Sequence, residues 1–283
     1  MTQAPAQRPI QPSPTTQSPI KLKHKAMWAF GNYDAVATQV VGGLGPVIVR
    51  AAGIGPGQRV LDVAAGSGNA SIPAAERGAQ VTASDLTPEL LDIGEHRAHR
   101  LGLDIRWREA DAEFLPFNDG EFDTVLSCVG VMFAPHHQAT ADELVRVCRP
   151  GGTIGLLNWT PEGFVGQLFA TMKPYAPPPP PGAQPPPLWG SEEHVRALFG
   201  DRVTDVVARR QSVPIKHFTA PGDFRRYFKS HYGPTISVYK AIAGEPDRVA
   251  QLDREIDELA ARFRRPGSTV TDWEYLLLTC TRA

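Results

Sequence analysis

The 283-residue chain contains little of what marks several protein classes. Its three cysteines are odd in number and scattered through apolar runs, so we expect reduced core thiols rather than a disulfide framework. A run of about 18 apolar residues is missing, so we expect no transmembrane helix. The N-terminus also lacks the apolar centre of a signal peptide. Together these absences predict a cytoplasmic protein.

An excess of charge of either sign is missing too. The 29 Lys and Arg residues balance 30 Asp and Glu residues, for a formal net charge of −1. A nucleic-acid-binding protein would carry a strongly basic surface, so we expect no nucleic-acid partner. The histidines and cysteines form no cluster with the spacing of metal ligands, and we predict no metal site.

Composition divides the chain into five regions. Residues 1–20 are rich in Pro, Gln, Thr and Ser and have few large apolar groups, which predicts a disordered tail. Residues 173–189 are rich in proline, which favours a stiff connector across the surface. After the tail at residues 1–20 we expect an N-terminal helical cap at 21–54 and an α/β core at 55–160. Residues 161–272 are expected to form a substrate or cap region that holds the connector. Residues 273–283 are expected to form a last strand of the core sheet.

Strand and helix patterns alternate in the middle of the chain. Short apolar runs predict strands at residues 60–63, 81–84, 105–108, 122–129 and 153–159. Helices are expected between them, over residues 69–78, 87–102 and 137–148. This alternation predicts an α/β fold, a doubly wound parallel sheet with helices on both faces.

Outside the core the predictions are coarser. The cap at residues 21–54 is expected to form two short helices, separated by its glycine cluster. Residues 203–218 fit either a strand pair or one bent strand. Two further helices are expected at 220–232 and 246–264, and a closing strand at 273–281.

A glycine-rich turn follows the first predicted strand. Gly66 and Gly68 let a ligand approach the backbone and free amides at a helix start. A dinucleotide-binding turn would have a third glycine where the chain has Ser71. Asp62 lies within the apolar strand itself, where burial without a partner would be costly. A cationic ligand or amide donors would remove that cost.

Two further acids follow the next predicted strands. Asp85 ends the second strand, where a carboxylate can accept hydrogen bonds from both hydroxyls of a ribose. Asp111 follows the third strand, where a carboxylate can accept from the amino group of adenine. The carboxyl ends of parallel strands meet at one edge of a sheet, so we expect Asp62, Asp85 and Asp111 to converge. Each acid alone would also fit a solvated or capping role.

With these motifs the chain resembles the class I S-adenosylmethionine-dependent methyltransferases. Within that class it is similar to the small-molecule branch of the ubiquinone and menaquinone C-methyltransferases. The resemblance covers residues 55–160 and depends on residues 60–69, 84–86, 110–117, 122–129 and 144–152. It implies a mostly parallel, seven-stranded sheet with an antiparallel last strand, and S-adenosylmethionine as the cofactor.

The resemblance also implies roles for single residues at the methionine end of the cofactor. Asp62 would order this end, and backbone groups would line it at Ala64, Gly66 and Gly68. Ser127 and Cys128 end the fourth predicted strand and would lie below the sulfonium.

At the nucleoside end the resemblance assigns the remaining residues. Asp85 would accept from the ribose hydroxyls and Leu86 would pack on the adenine, whose edge would meet Asp111 and Ala112. Tyr33 resembles an N-terminal aromatic residue that closes over the cofactor in this branch, and it fits core packing equally well.

The acceptor and the chemistry of proton removal are less constrained. Aromatic residues fill the flanking segments. If they line the cleft, they predict an apolar or aromatic small-molecule acceptor, methylated on O or C. If they do not, they form a plain hydrophobic cap. The candidate bases, of which none stands out, are His136, His137, His217, His231, Tyr227 and Tyr232. Four other histidines are expected at the surface, namely His24, His96, His99 and His194.

Two other functions stay open at this point. One is an NAD(P)-dependent oxidoreductase on a related sheet, although Ser71 and Asp62 argue against it. The other is a non-catalytic module that binds S-adenosylmethionine and uses the proline-rich segment to engage a partner. The sequence does not fix the oligomeric state, and a homodimer stays open.

Overall fold

The computed structural model of the protein describes residues 19–283. The predicted disordered tail, residues 1–20, lies outside the described residues apart from its last two, which begin the first helix, α1 (Pro19–Trp28). Within residues 19–283 no helix is long and apolar enough to cross a membrane.

One sheet of seven strands forms the core. The strands are β1 (Arg59–Val63), β2 (Gln80–Asp85), β3 (Ile105–Glu109), β4 (Phe122–Cys128), β5 (Cys148–Trp159), β6 (Val203–Ile215) and β7 (Thr271–Arg282). Across the sheet their order is β3-β2-β1-β4-β5-β7-β6. Neighbours pair in parallel, except that β7 is antiparallel to both β5 and β6. The α/β fold with a mostly parallel, seven-stranded sheet is therefore confirmed.

Helices flank this sheet. After α1 they are α2 (Tyr33–Ala35), α3 (Leu44–Ala51), α4 (Ser71–Glu76), α5 (Pro88–Arg100), α6 (His137–Val147), α7 (Phe164–Met172), α8 (Glu192–Phe199), α9 (Asp223–His231), α10 (Gly233–Ala241) and α11 (Pro246–Arg262). Local sequence explains the core helices. In α5, for example, proline occupies the first turn, an acid follows it, and the buried face repeats at Leu90, Leu91, Gly94 and Ala98.

Strand register brings the carboxyl ends of the central strands together. Asp62 of β1 lies beside Ala83 of β2 and Leu126 of β4. Asp85 of β2 lies beside Glu109 of β3. The residues that follow these four strands therefore meet at one edge of the sheet, which is where parallel α/β sheets bind ligands.

The N-terminal cap differs from the prediction of two short helices. After α1 ends at Trp28, the side chain of Asn32 accepts a hydrogen bond from the N–H of Ala35 and begins α2. That short helix continues into a π-helical turn, Val36–Val40, before α3. The helix start at Asn32 is the feature that the prediction misses.

The region after β5 contains more helix than predicted, because α7, α8 and α10 are missing from the prediction. The Gly233–Pro234 pair suggests a break in the chain, yet it begins α10, since proline is tolerated in the first turn of a helix. The two alternatives for residues 203–218 are decided by β6, which is one strand with a register shift between Thr204 and Val207.

The proline-rich connector, residues 173–189, is largely exposed in its middle but not at its ends. Tyr175, Pro187 and Trp189 are buried. The N–H of Gln184 also donates to the carbonyl of Pro135 over 2.9 Å. The connector therefore packs onto the segment between β4 and α6 as well as crossing the surface.

Candidate active site

A cleft opens at the carboxyl edge of the sheet. Seven of the predicted site residues line it: Tyr33, Ala64, Gly66, Asp85, Leu86, Asp111 and Ala112. Nine other residues line the cleft without a predicted contact to the cofactor, namely Lys21, His24, Trp28, Leu90, Ala110, Val129, Gly130, Phe133 and Ala134. Trp28 and Phe133 are two of the aromatic residues of the flanking segments for which a place at the cleft is one of the two alternatives. Because α1 supplies Lys21, His24 and Trp28, the N-terminal cap closes one side of the cleft.

Backbone strain is concentrated where β1 and β4 end. Ala64 and Val129 have φ of +55° and +56°, although neither is glycine, and both line the cleft. Gly130 packs tightly against Ala64, because a Cβ added to Gly130 would lie 2.3 Å from the carbonyl oxygen of Ala64. Such conformations persist only where the surroundings hold them, and they cluster at ligand sites.

Asp85 is buried at the end of β2, with both carboxylate oxygens held by backbone amides. The N–H of Gly66 donates to Oδ2 and the N–H of Thr87 donates to Oδ1, each over 2.8 Å. Burial raises the pKa of Asp85 above its usual value, and the hydrogen bonds from the Thr87 and Gly66 amides limit that rise. A carboxylate has about four acceptor positions, so the two amides fix its orientation and leave positions for a ligand.

Asp62 is buried in β1 and does not line the cleft. The hydroxyl of Ser71 donates to its Oδ2 over 2.6 Å, whereas its Oδ1 has no hydrogen-bond partner. Burial raises the pKa of Asp62, and the Ser71 hydrogen bond opposes this rise, so that the pKa is about 7. Burial also raises the pKa of the Cys128 thiol, and the nearby Asp62 carboxyl adds to that rise.

Asp111 belongs to a buried ion cluster that joins α1 to the loop after β3. The ammonium of Lys21 lies 2.8 Å from both Oδ1 of Asp111 and Oε2 of Glu113. Oδ1 of Asp111 also accepts from the N–H of Glu113, whereas Oδ2 is buried without a hydrogen-bond partner. Burial raises the pKa of Glu113, but hydrogen bonds from Lys21 and His136 outweigh it and hold that pKa below its usual value.

The other predicted site residues outside the cleft have partners within the protein. The hydroxyl of Ser127 donates to the carbonyl of Val63 and accepts from the N–H of Val131. Gly68 faces Trp107, whose ring would lie 2.8 Å from an added Cβ. Direct contacts of Asp62, Gly68, Ser127 and Cys128 with a cofactor therefore stay predictions.

The histidine predictions are partly wrong. His24 is half-buried and lines the cleft instead of lying at the surface. Burial lowers its pKa and the neighbouring Lys21 ammonium lowers it further. His194 is half-buried as well, with its Nε2 3.0 Å from Nδ1 of His137. His96 and His99 are exposed, as predicted.

None of the six candidate bases lines the cleft. His136 is turned to Glu113, with 3.0 Å between its Nδ1 and Oε2. The ring of Tyr227 lies between His217 and His231, with centroid distances of 4.9 and 4.0 Å, at a separate surface depression. Tyr232 is buried behind Trp28, at 5.8 Å between ring centroids.

Aromatic side chains form one wall of the cleft. The ring of Trp28 packs edge-on against Tyr33 and Phe133, at centroid distances of 5.1 and 4.6 Å. Most other aromatic residues of the flanking segments pack in the cap instead, as Phe164 does against Trp273 at 5.1 Å. Both alternatives for the aromatic residues are therefore present, in different parts of the molecule.

Comparison with known proteins agrees with this geometry. Residues 60–152 match a family described as a methyltransferase domain. An uncharacterized protein of Mycobacterium tuberculosis is 54% identical over 271 residues, which are 96% of this chain and 98% of that protein. A demethylmenaquinone methyltransferase of Thermus thermophilus is 39% identical over 106 residues, which are 37% of this chain and 48% of that enzyme.

A solved structure shows the same fold over most of the chain. It is the YcgJ protein of Bacillus subtilis, with a TM-score of 0.59, 19% identity, and coverage of 85% of this chain and 98% of that one. The chain is a class I S-adenosylmethionine-dependent methyltransferase. It belongs to one family with the mycobacterial protein. The oxidoreductase alternative loses its basis, because residues 60–152 match a methyltransferase domain.

Proposed function

We propose that this enzyme transfers the methyl group of S-adenosylmethionine to an apolar or aromatic small molecule, on O or C. The observation that carries the proposal is the polarity of the cleft. Carboxylates of Asp85 and Asp111 lie along it, and the rings of Trp28, Tyr33 and Phe133 form a wall. A charged nucleoside fits the first feature and an apolar acceptor fits the second.

The residues present suit this cofactor, because two buried carboxylate oxygens lack partners that its two amino groups can supply. Oδ2 of Asp111 would accept from the adenine amino group, and Oδ1 of Asp62 from the ammonium of the methionine part. Asp85 would take the ribose hydroxyls. Leu86, Ala112 and Tyr33 would pack on the cofactor, and the backbone at Ala64, Gly66 and Gly68 would line its methionine end.

The cofactor supplies a methyl group on a cationic sulfur, which leaves as a neutral thioether and needs no acid. The protein therefore contributes mainly by alignment of the acceptor and by exclusion of water, and alignment can be worth about 7–11 kcal/mol. Of the described cleft residues His24 is the one imidazole, and it lies beside Lys21 at the Asp111 end. We therefore expect an acceptor that enters ionised or loses its proton after transfer.

We infer a cytoplasmic location and no nucleic-acid partner from the sequence composition. A homodimer stays an open alternative.

An acceptor panel tests the proposed substrate class. We expect methylation of phenols or quinols and none of glycine or other small polar amines. Trp28→Leu should raise the KM of such an acceptor at least fivefold and leave the Kd of S-adenosylhomocysteine within about threefold. Phe30→Leu is the matched control, since Phe30 lies near the same helix but packs under Lys240, outside the cleft. Methylation confined to polar amines would overturn the proposed acceptor class and leave the enzyme class intact.

A further inference from the structure

The ion cluster of Lys21, Asp111 and Glu113 has an asymmetry that bears on cofactor choice. Lys21 and the N–H of Glu113 both hold Oδ1 of Asp111, over 2.8 and 3.0 Å. Oδ2 of the same carboxylate is buried and has no hydrogen-bond partner. The carboxylate is therefore fixed through one oxygen, which leaves the other as an acceptor in a cleft that Asp111 lines.

The cluster also places one ammonium between two carboxyl groups. Two carboxylates lie within 2.8 Å of one ammonium, and all three side chains are more than nine-tenths buried. The Lys21 ammonium helps to lower the pKa of Glu113, and it forms an ion pair with Asp111. An ionised carboxylate can only accept hydrogen bonds, so it matches an amino group and repels a carbonyl oxygen.

We propose that Lys21 is a positioning residue that makes the cofactor site selective for a 6-aminopurine over a 6-oxopurine. This inference depends on the proposed function, because it assumes that Oδ2 of Asp111 faces the purine edge. Without Lys21, Asp111 loses the ion pair that holds its Oδ1, and its carboxylate can turn away from the purine edge. A carboxylate that no longer faces this edge does not distinguish an amino group from a carbonyl oxygen, and the selectivity is lost.

Calorimetry with two ligands tests the proposal. The ligands are S-adenosylhomocysteine and its deaminated form, S-inosylhomocysteine, which carries a carbonyl oxygen in place of the amino group. The wild-type protein should bind the adenine form at least tenfold more tightly. Lys21→Met should reduce that ratio at least fivefold, and Lys21→Arg should keep most of it because the positive charge remains.

Lys25→Met is the matched control on the same helix. Lys25 pairs with Glu109 over 2.7 Å at the surface and does not line the cleft, so its loss should leave the ratio unchanged. Should Lys21→Met fail to fold, the double variant Lys21→Met/Glu113→Gln removes one buried acid together with the ammonium. We expect the same reduced ratio from it.

The outcomes separate the two proposals. Wild-type protein that binds neither ligand contradicts the proposed cofactor site itself. Wild-type protein that prefers adenine, with variants that weaken both ligands equally, leaves the cofactor site standing and overturns the role of Lys21. A wild-type ratio near one also overturns it.

Discussion

The hydroxyl of Ser71 donates to Oδ2 of Asp62 over 2.6 Å and leaves Oδ1 of this buried carboxyl without a partner. This contact explains why position 71 holds serine at the start of α4, where a dinucleotide-binding turn would have glycine. A buried carboxyl with one free oxygen is costly alone, and a cationic group is the partner that offsets the cost. Ser71 therefore departs from the dinucleotide-binding motif and holds a carboxyl that suits a cationic ligand group.

The first prediction concerns the pH dependence of cofactor binding. Burial raises the pKa of Asp62 to about 7, so below pH 7 its carboxyl is mostly protonated in the free protein. If the ammonium of the ligand needs the carboxylate, the Kd of S-adenosylhomocysteine rises as pH falls through 7, by up to about tenfold per unit. Calorimetry from pH 8 to pH 5.5 measures this slope.

Asp62→Asn is the control for that slope. The amide does not titrate, so the variant should bind more weakly at pH 8 and show a flat profile. The raised pKa of Asp62 also affects the stability of the fold. A raised carboxyl pKa means that the folded state loses stability as pH rises from about 4 to 7. A slope in Asp62→Asn equal to that of the wild type would place the titrating group elsewhere.

The second prediction concerns the tight turn where β4 meets β1. An added Cβ on Gly130 would lie 2.3 Å from the carbonyl oxygen of Ala64, which is backbone and cannot rotate away. Gly130→Ala should therefore cost about 2 kcal/mol or more of unfolding free energy and weaken cofactor binding. Urea denaturation of this variant beside Gly244→Ala measures the cost, since nothing lies within 4 Å of an added Cβ at Gly244. Equal stability of the two variants would contradict the geometry.

The third prediction concerns buried His137 and half-buried His194, whose ring nitrogens lie 3.0 Å apart. Burial lowers the pKa of His137 to about 4, and the neighbouring His194 lowers it too. A lowered histidine pKa gives stability that is complete above pH 6.5 and is lost as pH falls towards 4. From pH 7.5 to pH 5 we expect His137 to reduce the free energy of unfolding by roughly 1–2 kcal/mol. Solvent on the His194 side screens the charge in part and keeps this effect small.

His137→Gln tests that assignment. The variant should be less stable than the wild type at pH 7.5, and the gap should narrow at pH 5. His99→Gln, at an exposed histidine, should follow the wild-type profile at both values. A gap that stays constant with pH would remove His137 as the responsible group.

The sheet and much of the cleft could be predicted from the sequence because their signals are local. An apolar run that ends in glycines or in an acid predicts a strand, and it also predicts where the last side chain of that strand lies. Asp85 and Asp111 are examples, and both line the cleft. Parallel strands then bring such ends together without further information.

Lys21 shows why the rest could not be predicted. The α1 sequence is basic and weakly patterned, so Lys21 has the local signature of a surface residue. It is buried because Asp111 and Glu113, some ninety positions along the chain, supply its partners. The hydrophobic periodicity of a short segment does not indicate a contact between residues so far apart in the chain. The packing of Trp28 against Phe133 is another contact of this kind.

The most direct test of the account is the affinity of the protein for S-adenosylhomocysteine with and without the Asp85 carboxylate. We predict binding by the wild type in the micromolar range. Asp85→Ala should weaken it roughly tenfold to a hundredfold, which corresponds to about 1.5–3 kcal/mol for lost hydrogen bonds to a charged acceptor. Asp104→Ala, at an exposed acid, should match the wild type. Absence of wild-type binding at millimolar concentration, or equal affinity in Asp85→Ala, would contradict the assignment of this cleft to the methyl donor.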